Sequence, residues 1–302
     1  MTGNPAIPRA VVPIGQSLDG RFAELDSLRI HYLEFAGGDP AIVLLHGLSA
    51  NASEFRGLVG AGLSPRFRVI SPDLRGRGRS DKPTCGYSMS DHAEDVIALL
   101  DCLELDEVVM GGHSFGGLLA IFMAANYPER ISRVIVIDAA IEMHPQVREL
   151  IKPSLDRLRQ VLPSVNEYMS QMQRAPHVAG FWDGAIEGYF RAEIQENADG
   201  TAQSLTSAEA IALALEGVQN EHWAELVARV KQPVLLLNAV GEYGPPGSPP
   251  VVPAEHASAT ARAFADCKYV KIPGNHLTMV FGESAVLVQR EIAAFVSGNA
   301  KR

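Results

Sequence analysis

The chain has 302 residues, a net charge of -9, 47% hydrophobic residues and 20% charged residues. That length and balance suit one large soluble α/β domain carrying an insertion, or two small domains. The acidic balance argues against nucleic acid or an anionic membrane as partner, since both select a basic face. Three scattered cysteines, Cys85, Cys102 and Cys267, do not make a disulfide framework, and the N-terminal segment lacks the basic and apolar regions of a signal peptide. No apolar run is long enough to span a bilayer. A reduced, cytoplasmic setting is expected, with a homo-oligomer compatible with the composition.

Taken in chain order, "FAEL" and "LRIHYLEFAG" predict a hairpin turning at Asp26-Ser27. Apolar strands follow at "AIVLLHG" (41–47) and "FRVISPD" (67–73), then a helix from Ser90. The strand "EVVMGG" runs directly into "HSFGG" and a helix from Phe115, and "RVIVID" (133–138) ends on a carboxylate, Asp138. Between 141 and 231 the pattern is helical throughout, broken by Pro, Gly and Asn-Ala-Asp-Gly. Strands return at "PVLLLNAV" (233–240) and "KYVKIPG" (268–274), with helices from Pro253 and Ser284. Continuous apolar strands alternating with helices predict a mostly parallel, doubly wound sheet. Residues 1–140 and 232–302 then form the core, and 141–231 a helical lid inserted after the sixth strand.

Gly112-His113-Ser114-Phe115-Gly116 is a G-x-S-x-G run in a strand–turn–helix context, the setting of a nucleophile elbow. The glycines give room for a sharp turn, and the turn lifts the Ser114 hydroxyl to a helix N-terminus that favours a developing anion. Neither spacing of the nucleotide-binding glycine loops is present, so no cofactor is expected. No histidine pair stands at a zinc-ligand spacing, so no metal is expected either. An acyl transfer needs two backbone N–H groups aimed at one oxygen. Phe115, after the serine, and Leu48, after the strand ending in His46-Gly47, are the candidate donors.

Together "LLHGL", "SPDLRGRGRSDKP", "GGHSFGG" and "IPGNHLT" resemble the α/β-hydrolase family, over nearly the whole chain outside the lid and in the family's order. The resemblance implies a serine hydrolase with His276 as base, and it makes "RGRGR" a structural turn. In most of the family the acid follows the strand matching "PVLLLNAV", but here that loop reads "NAVGEYGPPG" and offers only Glu242. A minority carries the acid one strand earlier, where Asp138 stands, as in hydrolases of acetamidomethylene-succinate and zearalenone-lactonase-like enzymes. Asp138 is therefore the expected acid, with Glu242 as alternative. The lid concentrates apolar residues, of which Trp182, Tyr189, Phe181 and Met169 are candidates for substrate contact. It also carries Arg148, Arg157, Arg159, Arg174 and Arg191, and one turned inward would suit a carboxylate-bearing substrate. The implied activity is hydrolysis of a small-molecule ester or lactone, or of an activated amide or carbamate. The alternatives are C–C bond hydrolysis or cofactor-free lyase chemistry on the same residues, or a non-catalytic ligand receptor.

Overall fold

The computed structural model describes residues 20–26, 28–178 and 180–298. The N-terminal segment read above for targeting lies outside them, as does Ser27 of the predicted hairpin turn. Strands β1 (Arg21–Glu24) and β2 (Arg29–Phe35) pair antiparallel around that turn. They open an eight-stranded sheet whose other members are β3 (Ile42–Leu45), β4 (Val69–Pro72), β5 (Val108–His113), β6 (Ile131–Ile137), β10 (Val234–Ala239) and β11 (Cys267–Ile272). The order across the sheet is β1-β2-β4-β3-β5-β6-β10-β11, parallel from β4 onward, with β2 antiparallel to β4.

Every residue of β3, β4, β5 and β10 is buried. Side chains alternate between the two faces of a strand, so these strands are covered on both. That is why they read as unbroken apolar runs. Helix α1 (Met89–Cys102) starts at a capping box in which Ser88 and Asp91 satisfy each other's backbone N–H groups. Helix α2 (Phe115–Asn126) leaves β5 at the sheet centre and is buried along nearly its whole length.

Between β6 and β10 lie α3 (Val147–Arg157), α4 (Val165–Arg174), α5 (Gly184–Glu193), α6 (Ala208–Gln219) and α7 (Trp223–Arg229). This insertion is not helical throughout. It carries a second, three-stranded sheet of β7 (Val161–Leu162), β8 (Ile194–Glu196) and β9 (Ala202–Ser204), in the order β7-β9-β8. The Asn-Ala-Asp-Gly run expected to separate helices is the hairpin turn joining β8 to β9, closed by Asn197 N–H to the Thr201 carbonyl at 2.7 Å. Strands of two or three residues are too short to show a period. At its C-terminal end the insertion rests on the core, α6 on α1 and α7 on α2. Helices α8 (Ala254–Ala263) and α9 (Gly282–Ser297) complete the chain.

Candidate active site

The elbow is held by two close approaches. A Cβ on Gly112 would lie 2.1 Å from the Gly116 carbonyl oxygen, and one on Gly116 only 1.9 Å from that of Leu45. Both are shorter than any real contact, so the turn and α2 can sit against β3 only with glycine at these positions. Ser114 itself adopts φ 53°, ψ -117°, a strained backbone for a residue with a side chain. It faces a cavity of about 670 Å³ whose wall also includes Leu48, Phe115 and His276. Phe115 is the first residue of α2, where helix N–H groups have no partner within the helix.

His276 follows β11 and is 9% exposed. Its Nδ1 lies 2.7 Å from Asp138 Oδ2. Asp138 sits at the tip of β6 with φ 47°, again a left-handed backbone on a non-glycine residue. Its other oxygen accepts from the Ala239 N–H at 2.8 Å and from Asn238 Nδ2 at 2.9 Å. Tyr269 in turn donates its hydroxyl to Asn238 Oδ1 at 3.0 Å. The strand β10, whose following loop lacks the usual acid, thus supplies two donors to an acid on its neighbour. The sequence signal for this arrangement is the asparagine, Asn238, inside the apolar run "PVLLLNAV". Glu242 is exposed and accepts from the Gly247 N–H at 2.9 Å, without contact to His276.

Facing a carboxylate oxygen, Nδ1 of His276 donates, which leaves Nε2 with its lone pair. Burial pushes His276 below the ordinary imidazole pKa of 6.5, and the neighbouring His113 charge acts in the same direction, against Asp138 and Glu54. His46, just before the cavity-lining Gly47 and Leu48, serves the fold. Its Nε2 accepts from the Leu74 N–H at 3.0 Å, and burial lowers its pKa. The "RGRGR" turn is also structural. Arg75 pairs with Asp95, and the fully buried Arg77 donates to the Leu48 carbonyl at 3.0 Å with its guanidinium 5.2 Å from the Phe115 ring. Burial pulls Arg77 down to about 9.

Of the lid residues singled out, Tyr189 lines the cavity. The other three do not. Trp182 stacks on Phe190 with ring centroids 5.7 Å apart, Phe181 packs over Gly282, and Met169 packs against the core. The lid helices present instead Val147, Ile151 and Leu155 from α3, and Ala212, Leu215 and Val218 from α6. The α3 set is spaced by four residues, a helix stripe visible in sequence whose direction was not. Arg157 also reaches the cavity, but it pairs with Glu193 at 2.8 Å, and the Tyr168 hydroxyl donates to the same carboxylate at 2.7 Å. Arg148 stands on the wall without an ion-pair partner among the described residues.

The profile of the family described as alpha/beta hydrolase fold matches residues 40–181. The magnesium-chelatase 30 kDa subunit of Rhodobacter capsulatus is 30% identical over 249 residues, covering 79% of this chain and 81% of that one. The chain belongs to the α/β-hydrolase fold family. A 2-(acetamidomethylene)succinate hydrolase from Mesorhizobium japonicum is 29% identical over 79% of this chain and 81% of its own. A crystal structure of E-2-(acetamidomethylene)succinate hydrolase superposes with a TM-score of 0.80 at 25% identity, covering 92% of this chain and 98% of that one. An uncharacterized protein of Mycobacterium tuberculosis is 42% identical over 104 residues, so this α/β hydrolase spans only 30% of the length of that relative. No helix among the described residues is long and apolar enough to cross a membrane.

Proposed function

We propose that this α/β hydrolase is a cofactor-independent serine hydrolase that cleaves a carboxylic ester or lactone through an acyl-enzyme. The observation that carries this reading is the 2.7 Å contact of His276 Nδ1 with a fully buried, doubly anchored Asp138, on a cavity wall shared with the strained Ser114. His276 Nε2 takes the Ser114 proton as Oγ attacks the carbonyl carbon, and the Leu48 and Phe115 N–H groups hold the oxyanion. The tetrahedral adduct collapses, the carbon–oxygen bond to the leaving alcohol breaks, and His276 returns the proton to that alcohol. Water deprotonated by His276 then attacks the acyl-enzyme, the bond from the carbonyl carbon to Oγ breaks, the acid leaves and His276 returns the proton to Ser114. Asp138 keeps the ring in its tautomer and stabilises the imidazolium that forms twice in each turnover.

The cavity supports a neutral substrate with a bulky apolar part. Its wall is predominantly aliphatic and aromatic, and the charge of Arg157 is matched by Glu193. The Mesorhizobium relative is named for a succinate derivative. Here a dicarboxylate would meet one unpaired guanidinium on the wall, that of Arg148.

A panel of neutral p-nitrophenyl esters of increasing acyl length, δ-lactones, p-nitrophenyl hemisuccinate and a cleavable diketone tests the reading. Each added methylene that enters the cavity should raise kcat/KM by about fourfold, equivalent to ~0.8 kcal/mol. The hemisuccinate should fall below the ester of matching length. Preference for the hemisuccinate would overturn the substrate class. Cleavage of the diketone without ester or lactone turnover would overturn the reaction in favour of C–C hydrolysis.

A further inference from the structure

A second acid–imidazole contact lies beside the first. Glu54, in the helical turn after β3, is 1% exposed, and His113, the last residue of β5, is 3% exposed. Glu54 Oε1 lies 2.9 Å from His113 Nδ1, while Oε2 accepts from the Gly47 N–H at 2.9 Å. One carboxylate therefore joins the residue before Leu48 to the residue before Ser114. The packing there is tight: a Cβ on Gly47 would lie 3.2 Å from His113 Nδ1 and 3.5 Å from Glu54 Oε1. On its other side the His113 ring faces that of His276, with centroids 4.4 Å apart. His113 Nε2 is buried without a hydrogen-bond partner, and both residues line the cavity.

Stability alone does not account for such a pair, because a buried ion pair can commonly be replaced by apolar side chains at no loss. We propose that Glu54 and His113 are positioning residues for the hydrolytic site: the carboxylate locks the oxyanion loop to the elbow, and the ring it holds against His276 tunes that base. This rests on the serine-hydrolase reading above. Burial would lower His113, but the charge and hydrogen bond of Glu54 and the charge of Asp138 raise it above its ordinary value. Burial would raise Glu54, but the His113 charge and hydrogen bond, the His46 charge and the Gly47 N–H bring it below its own. The other groups facing the pair are Tyr189 from α5 and Tyr243 from the loop after β10. Those facing His276 are Asp138, His113, Glu54, His177 from the lid and Tyr243. His177 carries no charge near neutrality, since burial lowers it to about 4. A cation at 113 thus disfavours a second at 276, so the base remains available at lower pH. The lowered pKa also makes His276 a stronger acid toward the leaving alcohol.

The test is the rate constant for inactivation by a fluorophosphonate, followed from about pH 5 to about pH 9 in wild type, Glu54→Gln, His113→Asn and the double variant. Removing either partner discharges both, because Glu54 left alone in the interior takes up a proton and His113 left alone loses one. Both single variants should move the midpoint of the acid limb upward by about half a unit or more, roughly a threefold slower reaction below the midpoint, and the double variant no further. Unmoved midpoints in both variants would overturn the proposal while leaving the serine-hydrolase reading intact. Should the variants not fold, ¹³C-histidine NMR of the wild-type protein decides. One imidazolium next to the His276 ring should persist above the ordinary imidazole value of 6.5, and a ring there that titrates at or below it would overturn the proposal. A persisting imidazolium in a protein that never reacts at Ser114 would overturn only the hydrolase reading.

Discussion

The two buried acid–imidazole pairs of this protein have nearly the same contact, yet their histidines shift in opposite directions. Asp138 meets His276 at 2.7 Å and Glu54 meets His113 at 2.9 Å, yet the pKa of His276 is lowered and that of His113 raised. Burial lowers both rings, and the neighbours decide the outcome. At His276 the His113 charge adds to burial, against Asp138 and Glu54. At His113 the charge and hydrogen bond of Glu54 act together with the charge of Asp138, and protonation wins over burial. Two rings in contact do not both hold a charge in a low-dielectric site. A short histidine–carboxylate contact therefore says little about charge until its neighbours are counted.

The strongest way to break the comparison is to remove each pair in turn. His276→Ala should lower kcat by roughly 10⁴-fold to 10⁶-fold, and Asp138→Asn by about 10³-fold to 10⁴-fold, with unfolding midpoints measured alongside. Retention of more than a tenth of wild-type kcat in Asp138→Asn would remove the proposed distinction between the Asp138–His276 pair and its neighbour. A third buried pair, Arg157 with Glu193 in the lid, is the non-reacting control. Arg157→Met strands a carboxylate that is 1% exposed and should cost about 3–5 kcal/mol in urea unfolding.

Stability against pH sharpens the contrast further. Burial holds His46, His92, His177 and His276 below their unfolded value of 6.5. At and below that value the unfolded chain binds more protons, so stability falls as pH drops from 6.5. His113, raised in the fold, works the other way: its contribution is complete below 6.5 and is lost as pH rises through its folded value. Urea midpoints should decline steeply on the acid side, with a shallow alkaline decline that His113→Asn abolishes. The smallest expected effect is that of Glu242→Gln, which touches an exposed carboxylate and should change kcat/KM by less than about twofold. A larger loss there than in Asp138→Asn would reassign the acid.

The core was legible because its constraints are local. The glycines at 112 and 116 stand where a Cβ would meet a carbonyl oxygen, and the buried strands announce themselves as apolar runs. Asp138 could be preferred because the loop at 241–247 offers no aspartate. The Glu54–His113 pair could not be read, since its partners lie 59 residues apart and neither belongs to a spacing rule. The same holds for the lid. Its β7, β8 and β9 are too short for a pattern, and the aromatic cluster at 181–190 fills the lid interior, leaving Tyr189 and Phe190 on the cavity wall. Patterns within one element show which residues are apolar, but which cavity they enclose depends on contacts between elements.

The most direct measurement is to treat the folded protein with a fluorophosphonate and map the adduct by tandem mass spectrometry, with His276→Ala as the control. A single phosphonyl group on Ser114 in the wild type, strongly slowed in the control, is the predicted result. An adduct on another residue, or labelling of Ser114 that is indifferent to the loss of His276, would contradict the account.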